Sequence, residues 1–476
     1  PRRPDNGFGT DPKNPAAGAL GSPLGRNMPA AESRDALGDP PVQLIAQRLL
    51  ARKAFQPAGD QLNIVAAAWI QAMVHDWVDH YDDPDKPVTL DKGNVSGCPM
   101  HAFSFYATKK RPNDDSFDNA RTHWWDSSFL YGQSGPAVAA ARVGSGGKLR
   151  VGAIPGTLPR SPDGDVTIVG DAKNSWAGIA LLQDLFICEH NAVATAIAEN
   201  HPELAQDDDA LFHRARLVVS AVVAKIHTID WTVELLKTKT LRISMRSNWY
   251  GLPKALGLPN CLPRMFSLVG QKRSQNHGVP FCLTEEFNAV YRLHPMLPDG
   301  LPVGPQSGSS SDSFIPLDQL VGPAGDKLLA SNLENPMRFW DSCLRYPCGN
   351  LSLFNYPRAL RKLSPTDAAG RALPAERTVD LAALDLFRDR ERGLLRFNDF
   401  RRALNLKPYR NWSHLTGGNA EWDRELAAVY GADGIEQCDL LVGDLAEKKI
   451  PGFAISETSF LIFVLMASRR LESDPF

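Results

Sequence analysis

The chain has 476 residues, with 43% apolar residues, 22% charged residues and a formal net charge of −2. This is the composition of a globular protein with a large core, and the near-neutral charge argues against binding nucleic acid. The longest apolar run, FLIFVLMA at 460–467, is far shorter than the ~18 residues of a membrane-spanning helix. We therefore expect no membrane span, whereas attachment to a lipid surface stays open.

The first 40 residues are rich in Pro and Gly and lack the apolar segment of a signal peptide. We expect an extended arm at 1–40, followed by a single mainly α domain at 41–476 with little β structure. The seven cysteines include no CxxC pair and do not resemble a disulfide scaffold, although Cys343 and Cys348 are close enough in sequence to pair. A reducing compartment fits this pattern, so we expect an intracellular protein, soluble or peripherally attached to membranes.

Four segments have apolar residues at the three- and four-residue spacing of helices, namely 62–80, 175–200, 208–238 and 456–471. HPELAQDDD lies between the second and third segments and predicts a helix stop followed by an acidic helix start. Strand signals are few. LRVGAIPG and DVTIVGD, at 149–156 and 165–171, predict a small hairpin, and LPVGPQSGSSSDS at 301–313 predicts a surface loop.

In WIQAMVHDW, Gln71 and His75 stand four residues apart and share one helical face. In AVYRLHPMLPD, Tyr291 and His294 stand three apart, so both side chains can face one space at a helix end. An imidazole facing an apolar cavity is one way to hold haem iron. Each pair is equally compatible with ordinary core packing.

Two further segments carry polar groups suited to binding. In RTHWWDSSFLYG, every second residue from Thr122 to Ser128 shares one side if the chain is extended, and hydroxyl, carboxylate and carbonyl oxygens suit Ca²⁺. Asp76 is a candidate for the second carboxylate, and a polar turn is the alternative interpretation. KIHTIDWT and ASRRL together offer an imidazole, a hydroxyl and guanidinium groups for a substrate carboxylate. Because five residues span about 140° on an ideal helix, residues 227 and 232 converge only if the helix bends or a ligand reaches across.

These segments together resemble the haem peroxidase–cyclooxygenase superfamily, and within it the fatty-acid α-dioxygenases. The resemblance extends from about residue 40 to the end. It is carried by WIQAMVHDWVDH, WWDSSFLYG, EHNAVATAI, SAVVAKIHTIDWTVELLKT, QNHGVPF, VYRLHPMLPD, DLAALDLFRDRER and GFAISETSFLIFVLMASRRLE.

The resemblance implies a single large helical haem-peroxidase-like domain and a role for each residue named above. His75 is expected to be the distal histidine with Gln71 beside it, His294 the proximal iron ligand and Tyr291 the radical-forming tyrosine. A substrate carboxylate is expected at His227, Thr232 and Arg470, where the neighbouring Arg469 is the alternative. Calcium is expected at Asp76, Thr122, Trp124 (through its carbonyl), Asp126 and Ser128.

The sequence also departs from mammalian-type peroxidases of the superfamily. Val74 precedes His75 where they have Asp, and Lys173, Trp176 and Ala177 stand where they have Arg, Glu and Met. Without the groups that link covalently to haem, haem b is expected to bind non-covalently. Loss of the distal arginine removes a cation that helps cleave peroxide, which favours oxygenase over peroxidase activity.

The resemblance therefore implies addition of O₂ next to the carboxylate of a long-chain fatty acid, giving a 2-hydroperoxy acid. The alternatives are a haem peroxidase that uses hydrogen peroxide and small reductants, and a haem- or lipid-binding protein without turnover. We expect a monomer. No basic amphipathic segment stands out as a membrane anchor.

Overall fold

The computed structural model of the chain describes residues 2–31, 39–112, 114–162, 164, 166–259, 265–269, 279–304, 313–331, 337–367 and 370–476. Its strands form two separate antiparallel pairs. In the first, β1 (Asp82–Asp91) pairs with β2 (Ala102–Thr108), and in the second, β3 (Gly300–Val303) pairs with β4 (Ser313–Pro316). The remaining regular structure is helical, which confirms the prediction of a mainly α fold with little β structure.

The α-helices in the first part of the chain are α1 (Val42–Ile45), α2 (Ile64–Trp77), α3 (Ser128–Tyr131), α4 (Gly135–Ala141), α5 (Ala177–Asn200), α6 (Asp208–Lys225), α7 (Thr232–Leu235), α8 (Lys239–Tyr250) and α9 (Leu252–Ala255). Those in the second part are α10 (Glu285–Val290), α11 (Gly322–Ser331), α12 (Met337–Arg345), α13 (Leu381–Glu391), α14 (Phe397–Ala403), α15 (Trp412–Thr416), α16 (Ala420–Tyr430), α17 (Leu440–Ala446) and α18 (Glu457–Ser473). Two π-helical segments, Ala46–Leu50 and Ile226–Trp231, follow α1 and α6 directly.

The four long helices predicted from apolar spacing are confirmed as α2, α5, α6 with its continuation to α7, and α18. Side-chain caps explain several of their starts. Asn63 accepts a hydrogen bond from the Ala66 amide at the start of α2, and Ser456 accepts one from the Ser459 amide at the start of α18. Asp207 caps α6, whose first turn holds Asp208 and Asp209 as the acidic start predicted. Helix α2 packs against α5, and α10 packs against α18.

The strand predictions were wrong in position. Residues 149–156 form no strand, and the described part of 165–171 contributes only an isolated bridge between Arg160 and Thr167. Gly152, Pro155 and Gly156 interrupt the first segment, and both glycine and proline weaken a ladder. The hairpin of β1 and β2 went unpredicted because β1, DDPDKPVTLD, is charged and carries two prolines on an exposed strand, with a register shift between Asp83 and Pro87.

In the segment predicted as a surface loop, residues 301–303 belong to β3, and residues 305–312 lie outside the described residues. The six cysteines within the described ranges are free, so the suggested pairing of Cys343 with Cys348 was wrong. In the part of the chain that the structure describes, no helix combines the length and apolar character that crossing a bilayer requires.

Candidate active site

One side of the candidate site is formed by α2, which presents Gln71 and His75 to a cavity together with Ala67, Ile70 and Val74. Behind His75, its Nδ1 lies 2.9 Å from an Oδ2 of Asp171, whose other oxygen is 2.9 Å from the Arg121 guanidinium. Burial opposes ionisation of Asp171, but the Arg121 charge and the His75 contact hold the pKa of this carboxyl well below its usual range. The ionised Asp171 therefore keeps His75 turned with Nε2 toward the cavity.

The opposite side of the cavity is formed where α10 ends. Tyr291 lies in the turn that terminates the helix, and His294 opens a short 3-10 helix, His294–Met296. The two residues were predicted to share one helical face, but they do not, because the chain turns before Pro295. Both nevertheless line the same cavity as His75, together with Leu293, Met296 and Leu297.

A second carboxylate stands behind His294. Oδ2 of Asp385, on α13, lies 2.9 Å from Nδ1 of His294 and accepts a 2.8 Å hydrogen bond from the Tyr356 hydroxyl. Arg292 donates to the other oxygen at 2.6 Å. Despite complete burial, these partners lower the pKa of the Asp385 carboxyl, so that it stays ionised. In both histidine–carboxylate contacts the distance from Nδ1 to the carboxylate oxygen is short, but the N–H bond does not point straight at that oxygen.

The cavity residues fit a haem. The two histidines line one mostly apolar cavity from two different elements, and each has a carboxylate at its Nδ1, which leaves Nε2 for the cavity. The carboxamide oxygen of Gln71 is buried without a partner beside His75, as expected of a group that lies against a bound molecule.

Tyr291 also contacts a second, fully buried group. Its hydroxyl lies 3.4 Å from Nε2 of His227, and the Trp69 indole donates to Nδ1 of the same ring at 3.3 Å. Because Nδ1 accepts, Nε2 of the neutral imidazole carries the hydrogen and donates toward the Tyr291 oxygen. Burial and the nearby Arg470 lower the pKa of His227 to about 3, and burial raises the pKa of Tyr291. Both groups are therefore neutral near pH 7.

The π-helical segment Ile226–Trp231 explains how His227 and Thr232 come together. In an i→i+5 helix, residues five apart are one turn apart, and the Thr232 amide bonds to the His227 carbonyl. The Thr232 hydroxyl donates to that carbonyl at 2.7 Å. The distortion that the sequence analysis required is therefore present, although this hydroxyl must leave the carbonyl before it can donate to a ligand.

Arg470 is completely buried, whereas Arg469 is exposed, and this difference favours Arg470 as the binding residue. Its guanidinium donates to the backbone carbonyls of His123 and Trp124 and lies over the rings of Trp77 and Trp125, 4.6 and 4.2 Å from their centroids. Nη1 has no hydrogen-bond partner. Burial lowers the pKa of Arg470 to about 10, so the side chain is still a cation near neutrality.

The five predicted calcium ligands lie together in a buried oxygen cluster. The Thr122 hydroxyl donates to Asp126 at 2.5 Å, and the Ser128 hydroxyl donates to Asp76 at 3.0 Å. The segment 121–127 consists of bends, with Ser127 at a positive φ of 55°, so the predicted extended alternation was wrong and the oxygens converge through a curled loop. The Trp124 carbonyl already accepts from Arg470, which leaves one lone pair.

The charge of this oxygen cluster fits a cation. Asp76 and Asp126 are completely buried, and one oxygen of Asp76 has no hydrogen-bond partner. Arg470 is 3.8 Å from Asp76, too far for a hydrogen bond. Burial and the like charge of Asp126 raise the pKa of Asp76 to about 7. Within the described ranges there is no group of three or more His, Cys, Asp or Glu side chains arranged for a metal, so hydroxyl and carbonyl oxygens must complete this site.

The positions that depart from mammalian-type peroxidases have other contacts. Val74 lines the cavity, while Lys173 forms a 2.6 Å ion pair with Asp79. Trp176 is buried at the start of α5, which Ala177 begins. The sequence analysis missed Asp171 and Asp385. The only signal for Asp385 was its place in DLAALDLFRDRER, four residues before Asp389, which pairs with Arg292 at 2.9 Å.

Known proteins resemble the whole chain. A family model described as animal haem peroxidase matches residues 2–476. An α-dioxygenase of pea is 45% identical over 501 aligned residues, covering all of this chain and 75% of the pea protein. The crystal structure of a rice fatty acid α-dioxygenase superposes with a TM-score of 0.92 at 43% identity, covering 99% of this chain and 79% of the rice chain.

A tyrosine-to-phenylalanine variant of the rice enzyme, solved with palmitic acid, superposes equally well, with a TM-score of 0.92 over the same shares of both chains. Peroxidase A of Dictyostelium discoideum, at 19% identity and a TM-score of 0.76, shares the fold. With its opposed histidines, buried tyrosine and full-length similarity, this chain belongs to the animal haem peroxidase family and, within it, to the α-dioxygenases.

Proposed function

We propose that the protein is a haem-dependent fatty-acid α-dioxygenase that converts a long-chain fatty acid and O₂ to a 2-hydroperoxy acid. This product then loses CO₂ and water to give an aldehyde one carbon shorter. The observation that carries the proposal is the placement of Tyr291, which lines the cavity of His75 and His294 and also contacts the neutral His227. The palmitic acid complex of the rice relative and the shared α-dioxygenase similarity support a fatty acid as substrate.

Haem b would be held by Nε2 of His294, with Asp385 making that imidazole a stronger ligand. It would be non-covalent, because Val74, Trp176 and Ala177 offer no carboxylate or thioether for a link. When bound and oxidised by a hydroperoxide, haem would supply the one-electron oxidation by which Tyr291 loses a hydrogen atom. His75 takes up and returns the accompanying protons on the distal side, and Asp171 fixes its ring for this task.

The chemistry on the substrate belongs to Tyr291. Its phenolic oxygen, once it has lost its hydrogen, removes one hydrogen atom from the carbon next to the substrate carboxylate. O₂ adds to that carbon, and the resulting peroxyl group takes a hydrogen atom back from Tyr291. The tyrosine is thereby regenerated, and the atoms of the acid and O₂ balance in the hydroperoxide. Nε2–H of His227 steadies the tyrosine oxygen without removing its proton, because the imidazole is neutral.

The site of oxygenation follows from how the carboxylate is held. Nη1 of Arg470 has no hydrogen-bond partner in the buried site, and together with the Thr232 hydroxyl, once this leaves the His227 carbonyl, it would bind the carboxylate. Nε2–H of His227, the one donor of that neutral ring, would be shared between the carboxylate and the Tyr291 oxygen and so place the next carbon at Tyr291. The alkyl tail would fill apolar space, each buried methylene contributing roughly 0.8 kcal/mol. Removal of the cation is expected to weaken substrate binding by about 2–5 kcal/mol.

We also propose that Ca²⁺ occupies the oxygen cluster of Asp76, Thr122, Trp124, Asp126 and Ser128. Asp76 follows His75 on α2, so a cation there would fix the distal helix without entering the chemistry.

We further propose that the chain consists of an N-terminal arm at 1–40 and a catalytic domain at 41–476. The protein would be intracellular and would work as a monomer. Its fatty acid substrate would come from a lipid surface.

The test is oxygen consumption by haem-loaded protein given palmitate, compared with Tyr291→Phe at the same haem content. We expect the wild type to consume oxygen and form the 2-hydroperoxide or the shorter aldehyde, and the variant to lose at least a hundredfold of this rate. The matched control is Tyr356→Phe. Tyr356 is also a buried tyrosine, but its hydroxyl contacts Asp385 and not His227, so this variant should retain oxygenation. If wild type and Tyr291→Phe both oxidise a phenol with peroxide and neither oxygenates palmitate, the protein is a peroxidase and the proposal is wrong.

A further inference from the structure

The distribution of charge is uneven along this nearly neutral chain. Residues 235–284 contain eight Lys or Arg and no Asp or Glu, although the whole chain has a net charge of −2. In the described part of this run, helix α8 exposes Lys239, Arg242 and Arg246 on one side, and the exposed Lys254 follows on α9. A one-sign surface of this kind attracts an anionic partner.

Most of these cations lack a carboxylate partner. Within the described ranges no Asp or Glu lies within ion-pair distance of Lys225, Lys239, Arg246 or Lys254, whereas Arg242 is 3.9 Å from Glu234. Three of them instead converge on the ring of Tyr250: Lys225, Arg246 and Lys254 have their charged groups 5.7, 5.8 and 5.0 Å from its centroid. Lys237 of the same run lies 2.9 Å from Glu234, so the positive charge is concentrated on one surface and only partly neutralised there.

Large apolar side chains are exposed next to these cations. Phe266 is 70% exposed, Leu256 and Met265 are each 52% exposed, and Leu258 is 47% exposed. The Leu252 amide bonds to the Met265 carbonyl, so the two apolar segments lie side by side. Phe266 has a φ of +59°, a conformation that a residue with a Cβ rarely adopts, and it is held there with its ring in solvent.

We propose that this basic–apolar patch, comprising Lys239, Arg242, Arg246, Lys254, Leu256, Leu258, Met265 and Phe266, docks the protein on the surface of an anionic lipid bilayer. Cations would bind lipid headgroups while the apolar tips enter the boundary between headgroups and acyl chains. Nucleic acid would match the cations but not four exposed apolar side chains, so the bilayer is the better occupant. The inference goes beyond the proposed reaction and does not depend on it.

If the proposed function holds, the position of the patch would connect docking with uptake of the fatty acid. Trp249, next to Tyr250 on α8, donates a 2.6 Å hydrogen bond to Thr228, which adjoins His227 in the π-helical segment. Docking would therefore place the bilayer close to the segment that binds the fatty acid carboxylate.

The experiment is cosedimentation of the full chain, loaded with haem, with vesicles of phosphatidylcholine containing about 30% phosphatidylglycerol. Vesicles of phosphatidylcholine alone and a high-salt buffer are the comparison conditions. We expect the protein to bind the anionic vesicles. In both comparison conditions its affinity should be at least about tenfold lower, because the attraction is electrostatic and is screened by salt.

Two double variants test the two components of the patch. Arg246→Glu with Lys254→Glu should reduce binding at least tenfold, as should Leu256→Ser with Phe266→Ser. The matched controls lie elsewhere: Lys407→Glu with Arg410→Glu makes the same charge change at exposed positions, and Phe314→Ser removes a 60% exposed ring from β4. Both should bind vesicles like the wild type. Unchanged thermal unfolding of every variant would show that folding is retained.

Vesicle binding that survives both patch variants, or that is lost equally in the controls, would overturn the proposal. It would also be overturned if the wild type did not bind vesicles, or if it bound a polyanionic RNA with higher affinity than the vesicles. Because the readout is sedimentation, failure of the α-dioxygenase reaction would leave the result unaffected. Oxygenation of detergent-dispersed palmitate should be unchanged in the patch variants.

Discussion

The two sides of Tyr291 differ in how their histidines are held. His75 and His294, which face the cavity, have side chains 18% and 30% exposed, and each has an ionised carboxylate at Nδ1. His227, on the other side, is completely buried and has a neutral indole at Nδ1. A carboxylate at Nδ1 fixes the rings of His75 and His294 with Nε2 toward the cavity, whereas burial beside Arg470 keeps His227 neutral.

This difference matches the two tasks of the proposed reaction. Iron binding and proton transfer need basic imidazoles, so negative charge is placed behind His75 and His294. A tyrosine that is to exchange hydrogen atoms must keep its proton at rest, and burial raises the pKa of Tyr291. Substitutions that each remove one element of this contrast test it.

Arg470→Leu removes a completely buried cation that lies 3.8 Å from Asp76 and whose charge also acts on Asp126 and Tyr291. The lost partner leaves buried charge uncompensated, so we expect the free energy of unfolding to fall by about 3–5 kcal/mol in a calcium-free buffer. Urea unfolding measures this, and the exposed Arg469→Leu should change it by no more than about 0.5 kcal/mol. Equal effects of the two variants would show that Arg470 is not the buried cation holding this region.

Asp385→Asn removes the negative charge behind His294 and keeps the size of the side chain. We expect haem to bind about 10–100-fold more weakly and its reduction potential to rise, because a less basic imidazole stabilises the oxidised iron less well. Titration of the Soret band and a redox titration measure both. Asp389→Asn, which leaves the His294 contact intact, is the control; an unchanged potential in Asp385→Asn would contradict the proposed role.

The neutral state of His227 predicts a dependence of stability on pH. Its pKa in the folded protein is about 3, below its unfolded value near 6.5, so between these values the unfolded state binds more protons. The free energy of unfolding should therefore fall as the pH drops, with His227 contributing about 2 kcal/mol between pH 6.5 and pH 5.

Urea unfolding of wild type and His227→Asn at pH 7 and pH 5 measures this contribution as the difference in pH dependence. The exposed His101→Asn should keep the wild-type dependence. If His227→Asn also kept it, His227 would be protonated in the folded protein, and the proposed donation from its neutral ring to Tyr291 would be wrong.

Tyr356→Phe should have the smallest effect. It removes one hydrogen bond to Asp385 while Arg292 still compensates the charge, so we expect a loss of about 1 kcal/mol in the free energy of unfolding. Haem affinity should change severalfold at most. A loss as large as that of Asp385→Asn would indicate that the hydroxyl, and not the carboxylate, positions His294.

The sequence alone predicted much of the site because several of its parts are local. Gln71 and His75 are four apart on one helix, and the apolar spacing of that helix, of α5 and of α18 is read directly from the chain. The residues of the oxygen cluster were also predicted, although the backbone that brings them together was not, because the bends at 121–127 depend on buried contacts with α2.

The carboxylates behind the histidines could not be predicted in this way. Asp171 and Asp385 lie about a hundred residues away from the rings they contact, and one Asp among many gives no local signal. The basic–apolar patch is a different case: the acid-free run at 235–284 is present in the sequence, although no membrane anchor was predicted from it, and only the folded chain brings Met265 to the Leu252 amide.

The helices and the candidate reactive side chains follow from the sequence, because periodicity and family resemblance act along the chain. The tertiary structure decided how those side chains are tuned. It provides the π-helical turn that brings Thr232 to His227, the choice of Arg470 over Arg469, and the carboxylates behind His75 and His294. The physical reason is that burial and the approach of distant charges set pKa values and hydrogen bonding, and both exist only in the folded protein.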